Sequence, residues 1–132
     1  MLPPPPDHLV IERGRYTIAF ARDATGRCPA RDFLDSGEPT KEHKARLATL
    51  FKKTAAVGPP TLEEHFKTLE GRKDVFEFKA HQARVFTFRD GDVWYLVSGV
   101  VKKKDKHKKT DIERAERTWA EHKARFPKQG KS

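Results

Sequence analysis

The chain has 132 residues, of which 36% are apolar or aromatic, and its 28 Lys and Arg against 19 Asp and Glu give a formal net charge of +9. This length supports one domain with one core, and the apolar content excludes a disordered polycation. The basic excess predicts attraction to a polyanion. Because no stretch approaches the roughly 18 apolar residues of a membrane span, we expect nucleic acid as the partner and no membrane.

The opening sequence MLPPPPDHLV and the single Cys28 limit which cellular compartment and which kinds of site are expected. Four consecutive prolines favour an extended conformation, so residues 1–14 are predicted to be a flexible lead-in. They lack the basic and apolar regions of a secretory signal, and we expect a cytoplasmic protein. One cysteine excludes an internal disulfide and a site with several thiolates. Since P-loop, GxGxxG, HExxH and CxxC patterns are also lacking, no metal or nucleotide cofactor is expected.

The first half of the chain predicts a strand followed by helices. RYTIAFA at residues 15–21 alternates in the manner of a β-strand. Pro29 suits the first position of a short helix. Thr40 can cap a longer helix, from Lys41 to about Val57, that Gly-Pro-Pro then ends. The following TLEEHFKTLEG contains a capping box and apolar residues at helical spacing, which predicts one or two further helical turns.

Three strand signals and a final helix follow. VFEFKA at 75–80, ARVFTF at 83–88 and DVWYLVSGVV at 92–101 predict an antiparallel meander, with Asp-Gly at the last hairpin. The third strand is almost continuously apolar, which favours a central position covered on both faces. A second capping box at Thr110 begins the last helix. The predicted buried side of this helix consists of Ile112, Ala115, Trp119 and Phe126.

This order is strand, two or three helices, three strands and a helix. It predicts one α+β domain over residues 15–127, in which helices pack on a small antiparallel sheet with a mixed edge. Residues 128–132 are predicted to be a loose tail.

The stretch VVKKKDKHKKTDIERA joins the predicted central strand to the N-terminus of the last helix. A loop held at both ends is a common position for binding residues, and a helix N-terminus favours anions. The run therefore predicts a phosphate-binding surface, and a solvated charged loop is the alternative. Its basic residues are Lys102, Lys103, Lys104, Lys106, His107, Lys108 and Lys109.

Three more candidates lie where the first two strands of the meander meet in a turn. Lys79 alternates with the aromatic residues of its strand and is predicted to face solvent or a cleft. Arg84 and Phe86 are two residues apart and lie on the same face of the strand, so the Cβ of Arg84 should point toward the core. Its guanidinium must then reach outward through a bulge or along its own aliphatic chain. His81 and His107 are the two histidines flanked by cations, where a neutral imidazole suits a proton acceptor.

The segment LEGRKDVFEFKAHQARVFTFRDGDVWYLVSGVVKKKDKHKKTDIERA resembles the RelE/ParE superfamily of toxin–antitoxin toxins, most closely its phage-derived, HigB-like branch. The pattern is a strand with Glu-Leu-Arg, a short turn, an arginine in an aromatic strand, an apolar strand, Lys-Lys and a helix. The ordered combination carries the resemblance. The chain departs from it at Val100, where relatives often have an aromatic residue, and it lacks the late tyrosine that some members use to stack a base.

The resemblance implies a RelE-like fold and a ribosome-dependent endoribonuclease that cuts mRNA with basic residues and without a metal. Its partners would be mRNA, ribosomal RNA and a cognate antitoxin, expected to be a helix-turn-helix protein. Such cleavage needs a base, an acid and cations around the phosphate. The catalytic candidates are Arg84, Lys79, Lys102, Lys103 and His107, and the RNA-binding candidates are Lys104, Lys106, Lys108, Lys109 and His81.

The role of each catalytic candidate comes from its place in the family pattern. Arg84 matches the strand arginine and would brace the phosphate, and Lys79 stands where the branch often has arginine. Lys102 and Lys103 match Lys-Lys and would bind the scissile phosphate or the ribosomal RNA around it. His107 has no firm counterpart, and its role as base or acid rests on its basic surroundings.

Two other functions fit the same residues. A ParE-like topoisomerase inhibitor would act by binding alone, and a phage-derived nucleic-acid-binding module would have the fold without the activity. All three functions predict salt-sensitive binding of a polyanion, so charge does not separate them. The joint presence of Lys79, Arg84 and Lys102 favours the nuclease.

Overall fold

The computed structural model describes residues 2–69, 72, 74–103 and 109–125. The elements in chain order are β1 (Val10–Arg13), β2 (Thr17–Phe20), α1 (Pro29–Asp35), α2 (Lys41–Val57), β3 (Phe66–Thr68), β4 (Phe76–Ala80), β5 (Ala83–Asp90), β6 (Val93–Val101) and α3 (Lys109–Arg125). One six-stranded sheet has the order β1-β2-β6-β5-β4-β3. The predicted α+β class is confirmed.

The sheet is mixed because β2 and β6 run parallel, while every other neighbouring pair is antiparallel. This parallel pair joins the β1–β2 hairpin to the predicted meander of β4, β5 and β6. Such a pair needs a long crossover, and α1 and α2 lie within it. The sheet therefore combines a local meander with one pairing between distant parts of the chain.

The strand β6 is central and covered on both faces, as its apolar sequence predicts. Trp94 and Leu96 pack in the core cluster that also contains residues of α1 and α2. Tyr95 and Val97 pack on the opposite face, in a cluster that includes Trp119 of α3. The alternation of β6 thus supplies both layers of the core.

The two predicted helices of the first half are confirmed, and their ends follow local signals. Pro29 begins α1. Thr40 caps α2: its side chain accepts a hydrogen bond from the His43 backbone N–H, and the His43 side chain accepts one from the Thr40 N–H. Gly58 ends this helix with φ 100, a value that favours glycine. The cap satisfies N–H groups that have no partner within the helix.

The helical turns predicted from Thr61 are reduced to one hydrogen-bonded turn, in which the N–H groups of His65 and Phe66 donate to the Leu62 carbonyl. From Phe66 the prediction is wrong, because the chain forms the edge strand β3, which pairs with β4. Phe66 of this strand stacks on Phe76, with ring centroids 5.6 Å apart, and meets the edge of Trp94 at 5.5 Å. Tertiary packing of these aromatic rings outweighs the local preference that the capping box expresses.

The predicted lead-in contains regular structure. A 3-10 turn, Asp7–Leu9, precedes β1, and Leu9 is 1% exposed. Leu2 is also buried, and its backbone N–H donates to Asp90 Oδ2 at 2.7 Å. The sheet therefore begins with β1, before the first predicted strand, because burial of these two leucines holds the segment in place.

Helix α3 covers the face of the sheet that α1 and α2 leave open. Its predicted residues Ala115 and Trp119 are buried, and His122 is buried with them. Phe126, also predicted to be buried, lies outside the described residues. Within the described ranges, no helix combines the length and the apolar character needed to cross a membrane.

Candidate nucleic-acid interface

A polar cleft of about 480 Å³ opens at the end of the sheet where β4 turns into β5. The residues that line it are Arg46, Glu64, His65, Lys79, Ala80, His81 and Arg84. Most of these side chains are basic. Their convergence follows from the sheet: β4 and β5 supply one wall, the segment before β3 supplies a second, and α2 contributes Arg46.

Strand register places the two central cations side by side. Lys79 pairs with Arg84, and Ala80 pairs with Ala83, so His81 and Gln82 form the turn between the strands. His81 has φ 54, an uncommon value for a residue with a side chain. The Lys102 backbone N–H donates to Gln82 O at 2.7 Å, which fixes the start of the lysine run beside this turn.

Lys79 reaches across the cleft as the alternation predicts. Its Nζ donates to the Glu63 carbonyl at 2.8 Å, and its backbone N–H donates to the His65 carbonyl at 2.8 Å. Burial lowers the pKa of Lys79, and the nearby Arg84 charge lowers it further, against an opposing effect of Glu77. A cation held in this way is a stronger proton donor than a solvated lysine.

The side chain of Arg84 is 12% exposed, so its Cβ end lies toward the core as predicted. The irregularity in the β5–β6 register falls beyond it, between Phe86 and Thr87, and the side chain reaches the cleft along its own stem. Its Nη1 donates to the carbonyls of His81 and Ala83. Burial lowers the pKa of the guanidinium.

Glu77 is a buried carboxylate that sequence reasoning missed. Its side chain is 1% exposed, and its Oε1 lies 3.9 Å from Arg84 Nε. Register places Glu77 opposite Phe86, on the same face of β4 as Lys79. The alternation of VFEFKA could have indicated this, because Glu77 and Lys79 are two residues apart and therefore lie on one face of the strand.

Arg46 and His65 are two further cleft residues that the sequence did not identify. Arg46 lies in the middle of α2, and nothing local to that helix indicates that it faces the β4–β5 turn. His65 Nε2 lies 3.5 Å from Glu64 Oε1, and the segment that carries both residues was predicted to be helical. Their arrival at the cleft depends on contacts between distant segments.

The structure brings together four of the predicted site residues: Lys79, His81, Arg84 and Lys102. Lys103 is exposed directly after Lys102. Lys109 is exposed at the start of α3, and no contact of it with the cleft is seen among the described residues. The remaining candidates, Lys104, Lys106, His107 and Lys108, lie outside the described residues.

The arrangement suits an anion larger than a single phosphate. Cations from three separate segments line one opening, and two imidazoles supply groups that can transfer protons. Among the described residues, no group of three or more His, Cys, Asp or Glu side chains is placed to hold a metal ion. The chemistry that these side chains offer is charge stabilisation and proton transfer.

A family model described as phage-derived protein Gp49-like matches residues 34–120. The chain belongs to the Gp49-like family. The match includes every residue of the cleft together with Lys102 and Lys103, and Gp49-like proteins are in the RelE-like toxin family. A comparison with curated proteins found no match.

Proposed function

We propose that this Gp49-like protein is a HigB-like toxin of a toxin–antitoxin system and acts as a ribosome-dependent mRNA endoribonuclease. The observation that carries the proposal is the cleft itself, in which strand register brings Lys79, His81 and Arg84 together, with Lys102 bonded to the adjoining turn. Membership of the Gp49-like family supports a toxin module.

The proposed reaction is attack of an RNA 2′-oxygen on the adjacent phosphorus. The bond to the 5′-oxygen breaks, the 2′-hydroxyl loses its proton and the departing 5′-oxygen gains one, which leaves a 2′,3′-cyclic phosphate and a 5′-hydroxyl. The phosphate gathers negative charge in the transition state, and fixed cations stabilise it there.

The proposal gives roles to Lys79, His81 and Arg84 of the cleft and to residues of the lysine run. Arg84 and Lys102 bind the phosphate, and Lys79 is suited to protonate the departing oxygen because burial lowers its pKa. His81 lies at the turn and accepts the proton of the 2′-hydroxyl. His107, the sequence candidate for proton transfer, and Lys103 complete the proposed set.

Induced expression in bacteria tests the proposal. The wild type should arrest growth, and primer extension on a translated message should show cuts inside codons. Lys79→Gln and the double variant Lys102→Ala/Lys103→Ala should each lower cutting by about a hundredfold, the usual cost of losing one acid–base or charge-stabilising group.

The matched control is Lys52→Ala/Lys53→Ala, which removes two exposed lysines from α2 outside the cleft. It changes the net charge as much as the lysine-run variant does, and it should cut like the wild type. Equal loss in both double variants would show that net charge alone matters, against a localised site.

The two alternatives predict different results in the same cells. Arrest without cuts in the message would contradict the nuclease and favour inhibition of a topoisomerase. Absence of arrest would favour a binding module without catalysis.

A further inference from the structure

We infer that Glu77 is a positioning residue, which holds the Arg84 guanidinium in the orientation that grips a phosphate of bound RNA. This inference rests on the proposed function for the class of ligand. It assigns a role to a carboxylate that the family pattern places in the strand without explaining it.

The burial of Glu77 is the first argument. The chain carries an excess of nine positive charges, yet this carboxylate is 1% exposed on the face of β4 that also carries Lys79. Removing a charged carboxylate from water is costly unless cations and hydrogen bonds compensate. A compensated carboxylate beside an anion-binding cleft therefore points to a task within the cleft.

The geometry of Arg84 defines that task. Its Nε faces Glu77 Oε1 at 3.9 Å, and its Nη1 donates to the carbonyls of His81 and Ala83. Among the described residues, the hydrogen bonds of the guanidinium are made by Nη1, and the buried Nε has no hydrogen-bond partner, so Glu77 acts on Nε through charge. Nη1 of the planar guanidinium is thus held by hydrogen bonds and Nε faces a carboxylate, which leaves Nη2 for a ligand at the cleft.

Charge repulsion alone predicts that removing Glu77 strengthens anion binding, whereas positioning predicts that it weakens binding. A carboxylate next to an anion site repels the anion, so its removal should tighten binding if charge alone mattered. Glu64 also lies at the cleft, but its side chain is 73% exposed and its oxygen faces His65. The two carboxylates therefore form a matched pair whose neutral variants separate positioning from charge.

Fluorescence anisotropy with a 2′-O-methyl oligoribonucleotide, which cannot be cleaved by 2′-oxygen attack, measures binding alone. At fixed salt, Glu77→Gln should weaken binding about tenfold, the scale expected for losing one charge-assisted hydrogen bond from a misoriented Arg84 to the phosphate. Glu64→Gln should bind as tightly as the wild type or more tightly. Equal or tighter binding by Glu77→Gln would overturn the inference.

A second comparison tests whether Glu77 acts through Arg84. Adding Glu77→Gln to an Arg84→Gln background should cause no further loss of binding, because the group that Glu77 orients is already absent. Further loss of about tenfold in that background would contradict positioning. Removing both charges together also limits the damage to folding, since the burial of one charge no longer depends on the other.

A spectroscopic signature separates positioning from general stability. The Arg84 Nε–H signal in a ¹H–¹⁵N NMR spectrum should be protected from solvent exchange in the wild type and exchange faster in Glu77→Gln, while the backbone amides of α3 keep their protection. Uniform loss of protection would assign Glu77 a merely structural role.

The binding assay also separates this inference from the proposed nuclease. Oligoribonucleotide binding that weakens in Glu77→Gln, in a protein that cuts no message in cells, supports positioning and contradicts the nuclease. Failure of the wild type to bind the oligoribonucleotide overturns the inference, because Arg84 then binds no phosphate and Glu77 has nothing to orient it for.

Discussion

Two clusters that contain buried ionisable residues lie on the same face of the sheet and are built differently. The charged cluster is Glu77, Lys79 and Arg84 at the cleft, and the aromatic cluster is Tyr95, Trp119 and His122 beneath α3. They meet through Phe86, which pairs with Glu77 across the strands and packs in the same core as Tyr95 and Trp119. The first cluster compensates charge with opposite charge, whereas the second favours neutral forms.

The aromatic cluster keeps His122 neutral. Its side chain is buried, and its Nδ1 accepts a hydrogen bond from the Arg22 backbone N–H at 3.0 Å. Its ring lies 4.7 Å from that of Tyr95, centroid to centroid. Burial lowers the pKa of His122 to about 4, helped by the charges of Arg22 and Arg125, and it raises the pKa of Tyr95 to about 12.

The difference between the clusters shows where this fold tolerates a buried charge. At the cleft a cation can serve a ligand, and the carboxylate of Glu77 offsets its burial. Beneath α3 a proton added to His122 would be a buried charge that the positive charges of Arg22 and Arg125 oppose. Stability should therefore depend on pairing in one cluster and on pH in the other.

Breaking the pair in the charged cluster should have the largest effect. Arg84→Ala removes a cation that lies 3.9 Å from the buried Glu77 carboxylate, which should cost about 3–5 kcal/mol in the free energy of unfolding. Urea denaturation measures this loss. The double variant Arg84→Ala/Glu77→Gln should be more stable than Arg84→Ala, and a further loss in the double variant would show that the pair is not the reason.

The pH dependence of the aromatic cluster should be somewhat smaller. The folded pKa of His122, about 4, lies below its ordinary value of 6.5, so the unfolded chain binds the proton more readily. This contribution to stability is fully present above pH 6.5 and is lost as the pH falls toward 4, by about 3 kcal/mol in total.

Urea denaturation at about pH 7.5 and about pH 4.5 measures that contribution. His122→Gln retains an oxygen that can accept the Arg22 N–H, and it should lose much less stability on acidification than the wild type. His8→Gln removes an exposed histidine and should follow the wild type. Identical acid sensitivity in the wild type and His122→Gln would contradict this account.

A change outside both clusters should have the smallest effect. Thr40→Ala removes the cap of α2 and should cost about 1 kcal/mol. Because α2 carries a single cleft residue, Arg46, oligoribonucleotide binding should change less than in Glu77→Gln, and the acid sensitivity should match the wild type. A steeper pH dependence of stability in Thr40→Ala would mean that the pKa of His122 depends on the whole fold and not on its own surroundings.

The sequence predicted what depends on neighbours along the chain. Thr40 and Gly58 mark the ends of α2 through local capping, and the period of two in the meander places Lys79 and Arg84 on their faces. The turn joining those strands is short, so their convergence at one cleft was also predictable. The lysine run follows the end of β6, which in an antiparallel meander lies beside the β4–β5 turn, and Lys102 is found there.

The sequence could not predict what depends on distant packing. Alternation gives the face of Glu77 but not its neighbours on that face, so the sequence does not predict its burial beside Arg84. His122 shows no partner in its own helix, because the N–H that it accepts belongs to Arg22, a hundred positions earlier. β3 was mistaken for helix because aromatic packing by Phe66 decides its conformation.

The parallel pairing of β2 with β6 also sets the order in which the molecule can assemble. Thr17 lies beside Val93, 76 positions later in the chain (93 − 17 = 76), so the sheet cannot close until that strand has left the ribosome. Contacts between distant segments slow folding, whereas the β4–β5 hairpin needs only its own residues. The two central cations of the cleft can therefore meet before β6 has docked, while the lysine run reaches them only afterwards.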